Sequence, residues 1–341
     1  MPDDPSLWVL VVIILLALGF GVVNGFNDAA NAIAASVGSR ALSPRNAVML
    51  AAVFNLAGAA TGTAVAQTIG KGILIPEALS YQAVAAGLVA VIVWGAIATY
   101  FGLPVSITHS YVAGMVGAGM AVAGSEAIQW GTFQRVLSSV VAAPTLGFVG
   151  SFVLMVGLLW LFRRSLPSRM RVVFGRLQWL TTAFLAYSHG KNDGQMPIGV
   201  ITMAMVIFYK DASLWARLSL FNSETWWIVL ISALAISLGT AVGGWRVIKT
   251  LGLRVTTLRP VQGFVSDLSA ATVIEGASYL GIPVSTTHCA SSAIMGVGAT
   301  RRLSAVRWGI ARNIVTAWVL TFPLCGGLGY LVVSLLDGLP L

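Results

Sequence analysis

Six long runs of the chain contain no Asp, Glu, Lys or Arg: 46–70, 78–125, 136–162, 225–245, 276–300 and 313–336. About 20 apolar residues are enough to cross a bilayer as a helix. The run 78–125 is long enough to turn back on itself at least once. Hydrophobic residues make up 57% of the sequence and charged residues only 9%, which excludes a soluble globule. The sequence therefore predicts a protein that crosses a membrane several times.

The fold class follows from the hydrogen-bonding needs of the backbone in lipid. Only helices and closed barrels satisfy every backbone group there, and these runs lack the alternating pattern of barrel strands. We predict an all-α integral membrane protein. The first apolar stretch, 7–23, is expected to be a retained helix, because Asp3 and Asp4 precede it where a signal peptide carries basic residues.

Two short polar motifs each occur twice, once in each half of the chain. An Asn-Asp pair lies at 27–28 and again at 192–193, and a Pro-Val-Ser motif lies at 104–106 and again at 283–285. The order is the same in both halves and the second spacing is longer, which indicates two repeats with one insertion. We assign 1–162 to a first transmembrane repeat, 163–176 to a basic cytoplasmic loop and 177–341 to a second repeat.

The segment between the halves is strongly basic. It carries Arg163, Arg164, Arg169, Arg171 and Arg176. The positive-inside rule places it in the cytoplasm, where a loop near anionic lipid headgroups accounts for the charge without nucleic acid. With an acidic N-terminus outside, each half crosses the membrane an odd number of times. Repeats of this kind have inverted topology, which is typical of transporters with one site between the repeats.

The Pro-Val-Ser motifs predict breaks in helices. Proline ends a helix, and the hydroxyl residue that follows can cap a new one. We expect Pro104 and Pro283 at the tips of two re-entrant helical hairpins, with broken helices meeting at the bilayer midplane. The start of a helix offers free N–H groups and a positive dipole end to an anion. Further hydroxyl donors are expected from Ser106, Thr108, Ser110, Ser285, Thr286 and Thr287.

The acidic residues of the Asn-Asp motifs lie at matching positions in apolar sequence. An aspartate in the middle of a membrane costs roughly 2.5 to 3.5 kcal/mol, so Asp28 and Asp193 predict a functional site. Asn27 and Asn31 share one helix face, and Asn192 lies beside Asp193. Their amides offer oxygen ligands to a small cation and N–H donors to an oxyanion.

In combination, these motifs resemble the inorganic phosphate transporter family, in its bacterial low-affinity type. The matching segments are GFNDAANAIA at 25–34, GLPVSITHS at 102–110, SHGKNDGQMPIG at 188–199 and GIPVSTTHC at 281–289. The resemblance implies a dimeric secondary carrier in the inner (plasma) membrane of a bacterium, importing inorganic phosphate with a cation and without a cofactor. It implies a substrate and coupling site at Asn27, Asp28, Asn31, Ser106, Thr108, Asn192, Asp193, Ser285, Thr286 and Thr287.

The second Asn-Asp motif departs from the first. Met196 stands where the first half has Asn31, with Gln195 beside it. A thioether is a poor ligand for a hard cation. This form of the motif resembles bacterial members with proton coupling, so we expect H+ as the coupling cation in preference to Na+. The expected coupling residues are Asp28, Asn31, Asp193 and Gln195.

The identity of the anion has one alternative. Hydrogen phosphate carries an O–H group that can donate to Asp28 or Asp193, whereas sulfate at neutral pH carries none. A site that binds a specific hydroxyl discriminates strongly between such ligands. We expect phosphate, and a sulfate permease of the same fold stays open.

All three histidines lie in the motifs. His109, His189 and His288, together with Asp28 and Asp193, offer an alternative zinc site for an intramembrane enzyme. Their spacing is unlike the HExxH pattern of zinc hydrolases. We therefore predict no metal site and no enzyme activity, and we expect His109 and His288 to support the hairpin tips by hydrogen bonding.

Overall fold

The structure is a computed structural model that describes residues 7–75 and 78–336, and this part of the chain is helical. The helices of the first half are α1 (Leu7–Gly38), α2 (Pro44–Ala59), α3 (Ala64–Lys71), α4 (Tyr81–Phe101), α5 (Ile107–Ala123) and α6 (Trp130–Leu161). Those of the second half are α7 (Pro167–Asp193), α8 (Gln195–Tyr209), α9 (Leu214–Arg217), α10 (Trp226–Val242), α11 (Trp245–Lys249), α12 (Pro260–Tyr279), α13 (Thr286–Ala299) and α14 (Trp308–Leu336). Across the described ranges, β pairing is limited to one isolated bridge between Leu74 and Ile128. The predicted all-α fold class is confirmed.

Local sequence signals explain where the arms of the first hairpin end. The Ser80 hydroxyl accepts a hydrogen bond from the Ala83 N–H at 3.2 Å and so caps the start of α4. Gly102 ends the helix in the left-handed region, with φ of 70°. Glycine reaches this conformation without a steric penalty. The chain can therefore turn at once into the Pro-Val-Ser motif and begin α5.

The two halves have the same order of elements. The Asn-Asp helix α1 corresponds to α7 with α8, the hairpin α4–α5 to α12–α13, and α6 to α14. Each half also has a bent pair: α2 and α3 meet at 72°, and α10 meets α11 and the π-helical turn at 250–254 at 59°. The extra residues of the second half lie in the stretch 210–225 between α8 and α10, which contains α9.

Several helices have the length and apolarity that a membrane span requires. In the described residues these are α1, α4, α6 and α14, and the number rises to six if each bent pair forms one span. Large apolar side chains on the outside of α6 are exposed, with Val141 at 69% and Val153 at 62%. Such a surface suits contact with lipid.

The connection between the halves is shorter than predicted. Helix α7 begins at Pro167, so much of the proposed loop 163–176 is helical, and Arg169, Arg171 and Arg176 lie on α7. Proline is favoured in the first turn of a helix, and the Arg and Met residues that follow are good helix formers. The acidic N-terminal residues on which the predicted orientation depends, Asp3 and Asp4, lie outside the described residues.

Candidate functional site

The tips of the two helical hairpins lie in the core, and each begins its second helix in the same way. The Ser106 hydroxyl oxygen accepts a hydrogen bond from the His109 N–H at 3.1 Å at the start of α5. Ser285 accepts one from the His288 N–H at 3.1 Å at the start of α13. The N–H groups of the first two residues of each helix remain without a partner in that helix. Both tips thus present backbone donors and a positive dipole end.

Two reciprocal hydrogen bonds join the tips. The Thr287 hydroxyl donates to the Val105 carbonyl oxygen at 2.9 Å, and the Thr108 hydroxyl donates to the Val284 carbonyl oxygen at 3.5 Å. Thr108 and Thr287 occupy equivalent positions of the repeated motif, as do Val105 and Val284. Each hairpin tip therefore accepts a hydrogen bond from a hydroxyl group of the other tip. The bond made by Thr108 is the longer of the two.

Thr286 lies between the two aspartates. Its hydroxyl oxygen is 3.1 Å from Asp193 Oδ2 and 3.4 Å from Asp28 Oδ2. The Thr287 hydroxyl lies 3.1 Å from Asp28 Oδ1. Asn31 Nδ2 donates to the hydroxyl oxygens of Thr286 and Thr287 at 3.3 Å and 2.8 Å. Predicted site residues from α1, α7 and α13 thus meet in one cluster.

The first asparagine of each motif holds a hairpin arm of its own half. Asn27 Nδ2 donates to the Thr99 hydroxyl on α4 at 2.7 Å. The Ser278 hydroxyl on α12 donates to Asn192 Oδ1 at 3.3 Å. Asn192 also binds the second tip, because its Nδ2 donates to the Val284 carbonyl oxygen at 2.8 Å. The Asn-Asp helices and the hairpins are therefore joined by hydrogen bonds of Asn27 and Asn192, the immediate neighbours of the two aspartates of the cluster.

His189 completes the cluster, although the sequence suggested it only as part of the alternative zinc site. Its Nε2 lies 3.3 Å from Asp193 Oδ2 and 3.9 Å from Asp28 Oδ2. Its Nδ1 lies 2.8 Å from Asn55 Oδ1, while Asn55 Nδ2 donates to the Thr240 hydroxyl. Because Asn55 uses its Nδ2 to donate to Thr240, its Oδ1 faces His189 as an acceptor, and this series of hydrogen bonds assigns the imidazole proton to Nδ1. Nε2 is then the nitrogen that gains or releases a proton beside the carboxylates. The sequence signal was the i, i+4 spacing of His189 and Asp193 on one helix.

The cluster is closed to solvent and has more acceptors than donors. Asp28, Asp193 and Thr286 are each at most 1% exposed. One hydroxyl hydrogen cannot serve two carboxylates, so Thr286 donates to only one of them at a time. Within the described residues, the buried amide oxygens of Asn27 and Asn31 have no hydrogen-bond partner. Buried carboxylates are costly without positive charge, so this arrangement requires protons or a cation.

Comparison with known proteins identifies the family. A model described as the phosphate transporter family matches residues 24–172 and 162–329. The chain belongs to the phosphate transporter family. Two relatives described as "Probable low-affinity inorganic phosphate transporter" come from Bacillus subtilis (39% identity over 98% of this chain and 99% of theirs) and Rhizobium meliloti (41% identity over 92% of each). A solved structure described as "The sodium-dependent phosphate transporter" is similar with a TM-score of 0.87 and 29% identity, covering 98% of this chain and 100% of that chain.

As a member of the phosphate transporter family, the protein is a multi-pass membrane transporter and not an enzyme. The three histidines of the alternative zinc site do not form one ligand set. The ligand atoms of Asp28, His189 and Asp193 lie within 4.8 Å of one another, close enough to hold a metal ion. His109 and His288 form a separate pair, with ring centroids 5.0 Å apart.

The structure corrects the expected role of the histidine pair in this transporter. In the described residues, the ring nitrogens of His109 and His288 have no hydrogen-bond partner. The rings pack instead against α14: His288 lies 3.9 Å from Trp318 and His109 lies 5.4 Å from Phe322, between centroids. Trp318 Nε1 donates to the Pro104 carbonyl oxygen at 3.0 Å. Support of the tips thus comes from ring packing and from the indole.

Two predicted site residues are placed elsewhere. Gln195 Oε1 accepts hydrogen bonds from the N–H groups of Val65 at 2.9 Å and Ala66 at 3.1 Å. These donors begin α3, whose own N-cap residue makes no side-chain bond, so the amide of Gln195 replaces the missing cap. The Ser110 hydroxyl donates to the Ser106 carbonyl oxygen at 2.6 Å, within the first turn of α5. Gln195 and Ser110 therefore serve helix ends and not the acidic cluster.

A polar cleft of about 430 Å³ reaches the tip of the second hairpin. Its lining includes Lys71, Arg135, Gln67, Gln129, Gly281 and Pro283, and among the described residues no carboxylate lines it. The equivalent tip of the first hairpin is covered, because Arg246 contacts the Tyr100 carbonyl oxygen and stacks 4.6 Å over the Tyr100 ring. The cleft thus reaches the tip of the second hairpin and not that of the first. The side chains of Lys71 and Arg135 line this route.

Proposed function

We propose that the protein imports inorganic phosphate across the plasma membrane of a bacterium by symport with protons. The observation that carries this proposal is the contact of the Thr286 hydroxyl with both Asp28 and Asp193. It joins two proton-binding groups to a helix start that attracts anions. The family match and the names of the relatives support phosphate as the substrate.

In this proposal the hairpin tips bind the anion. The free N–H groups at the starts of α5 and α13 and the side chains around them contact the phosphate oxygens. The proposed binding side chains are Asn27, Ser106, Thr108, Asn192, Ser285, Thr286 and Thr287. An ionised carboxylate would repel the anion, so phosphate binds when Asp28 and Asp193 are neutralised. Binding of each ligand then raises the affinity for the other by the same factor.

Energetics favour a coupled cation. Moving a divalent anion inward against about 100 mV, negative inside, costs roughly 4.6 kcal/mol. Protons that travel with the anion remove this cost. His189 favours protons as the coupling ion, because its Nε2 faces both carboxylates and an imidazole exchanges protons at physiological pH.

Sodium is the second candidate, and separate observations favour it. The similar solved structure is named as sodium-dependent. The buried amide oxygens of Asn27 and Asn31 lack hydrogen-bond partners in the described part of the chain, and a hard cation prefers oxygen ligands. Coupling by Asp28, Asn31 and Asp193 is compatible with either ion. We therefore place H+ first and Na+ second, and no role in coupling is proposed for Gln195.

Transport by alternating access is the proposed mechanism. The matched element order of the halves and the two separate family matches support a pair of repeats, which we propose to be inverted and to carry α4–α5 and α12–α13 as re-entrant hairpins. The cluster is buried, as expected of an occluded state. The reciprocal bonds made by Thr108 and Thr287 would then break as the site opens. A homodimer is proposed from the family resemblance alone.

Uptake by proteoliposomes tests the proposal. Purified protein is reconstituted in vesicles, and accumulation of labelled phosphate is followed under an imposed pH gradient, a sodium gradient or neither, with sulfate as competitor. Accumulation driven by the pH gradient and insensitive to excess sulfate is expected. Accumulation driven only by sodium would replace H+ by Na+ as the coupling ion, and complete competition by sulfate would assign the protein to sulfate. Absence of phosphate uptake under every gradient would refute the proposal.

A further inference from the structure

A second cleft, of about 660 Å³, lies where the two halves of the chain are joined, and no residue of the repeated motifs lines it. One wall is the end of α6, and the others are the beginnings of α7 and α12. Its apolar lining consists of Leu158, Leu159, Phe162, Met170 and Val261. The adjoining end of α6 is apolar and exposed, with Leu161 at 64%. The cleft therefore continues into a surface that suits lipid.

Three arginines surround the cleft. Arg163, Arg171 and Arg259 are lining residues, and no acidic residue within 7–75 and 78–336 lines it. The ion pairs described for the chain do not involve these arginines, and the Arg163 guanidinium instead lies 5.1 Å over the Trp160 ring. Charge complementarity thus calls for an anion.

Two long helices also begin at the cleft. Pro167 is the first residue of α7, and Pro260 is the first residue of α12. Ser168 and Val261 follow them in the lining, and N–H groups at such positions have no acceptor within the helix. The helices contain 27 and 20 residues, so each has a full macrodipole, and its positive end lies at the helix start beside the cleft. Two helix starts and three arginines therefore converge beside an apolar wall.

We propose that this cleft binds one anionic phospholipid, with its phosphate between the starts of α7 and α12 and its acyl chains along the end of α6. The mixed lining selects a lipid over a free anion, because inorganic phosphate would leave the apolar wall uncovered. A basic pocket between membrane helices is the kind of surface that binds acidic headgroups. The lipid would contact the last helix of one half and two helices of the other, so it braces their junction.

Binding of a fluorescent phosphatidylglycerol to the detergent-solubilised protein tests this site. We expect saturable binding that phosphatidylcholine and inorganic phosphate do not displace. The triple variant R163Q/R171Q/R259Q should weaken binding by about 10-fold or more, since each basic residue adds to the attraction. The control R301Q/R302Q removes two positive charges from the loop before α14 and should leave binding unchanged.

A second variant separates binding from folding. Ser168→Asp places a carboxylate in the first turn of α7, where negative charge stabilises a helix. It should weaken lipid binding while the thermal stability of the protein is retained. Equal binding of phosphatidylcholine, displacement by inorganic phosphate, an equal loss in R301Q/R302Q, or full binding by Ser168→Asp would each overturn the proposal.

Discussion

His189 Nε2 lies 3.3 Å from Asp193 Oδ2, one helical turn away on α7. The contact places the titratable imidazole of His189 beside the carboxylate of Asp193, which Thr286 at the tip of the second hairpin also contacts. Proton binding at this pair is therefore linked to the position of the tip. In the proposed symport with protons, that link would couple a proton to the occupancy of the anion site.

Replacement of His189 tests this link. His189→Gln keeps polarity and approximate size but removes the proton-binding nitrogen. We expect accumulation driven by a pH gradient to fall at least 10-fold, whereas exchange of internal for external phosphate continues. Both rates are measured with labelled phosphate in proteoliposomes. His109→Gln is the control, because His109 lies in the ring pair with His288. Phosphate accumulation by this variant should depend on pH as it does in the native protein. Unchanged accumulation in His189→Gln would remove His189 from the coupling mechanism.

The sequence predicted the helical fold, which is confirmed. Helix breaks and buried carboxylates also leave strong local signals, and these predicted Asn-Asp motifs close to the hairpin tips, where Asp28 and Asp193 contact Thr286. His189 was assigned less well, since its contact with Asp28 depends on how α1 packs against α7. Gln195 was predicted in the cation site, but it caps the start of α3. That start lacks a cap of its own because of a bend that no single residue predicts. Local patterns thus predicted the elements, and tertiary packing decided which polar atoms were already occupied.

The aspartates are expected to be needed for accumulation and not for binding alone. Asp28→Asn and Asp193→Asn retain volume but can no longer exchange a proton or balance a cation. Each should abolish uphill uptake while leaving phosphate exchange measurable. The matched control is Asp267→Asn, a buried carboxylate outside the cluster that accepts a hydrogen bond from Thr182 at 2.9 Å. Normal accumulation in either cluster variant, or equal loss in Asp267→Asn, would contradict the assignment.

The reciprocal bonds between the tips predict an unequal pair of variants. Thr287→Val removes the hydroxyl that contacts Val105 at 2.9 Å, Asp28 and Asn31, whereas among the described hydrogen bonds Thr108→Val removes the 3.5 Å bond to Val284. A hydrogen bond contributes about 1 kcal/mol, which corresponds to roughly fivefold in affinity. Phosphate affinity, measured by calorimetry at constant pH, should fall at least fivefold in Thr287→Val and less in Thr108→Val. The reverse order would contradict the prediction that the shorter bond, made by Thr287, contributes more to the affinity.

Gln195 is expected to affect stability without affecting coupling. Gln195→Leu leaves the N–H groups of Val65 and Ala66 buried without an acceptor, which costs about 1 to 3 kcal/mol. Gln195→Glu keeps an oxygen acceptor, but it loses the Nε2 donor to the Thr61 carbonyl oxygen and buries a carboxylate, so it should also lower the stability. Thermal unfolding in detergent gives the stability, and uptake under each gradient gives the coupling ion. A change of coupling ion in a variant of native stability would restore Gln195 to the cation site.

The cleft at the second hairpin predicts an electrostatic effect on phosphate capture. Lys71 and Arg135 line the approach and contact no residue of the acidic cluster in any described hydrogen bond, so Lys71→Gln and Arg135→Gln should leave the maximal rate unchanged. Loss of one positive charge lowers the local concentration of the anion, and we expect KM to rise about threefold or more at low salt. The difference should shrink near 0.15 M salt, where the screening length is about 8 Å. Initial rates of phosphate uptake at several salt concentrations measure both effects.

Arg301→Gln, in the loop before α14, is the matched control and should keep the native KM. If the two cleft variants and this control change KM equally, the effect belongs to the overall charge of the protein, and the cleft is not the route by which phosphate approaches the hairpin tip.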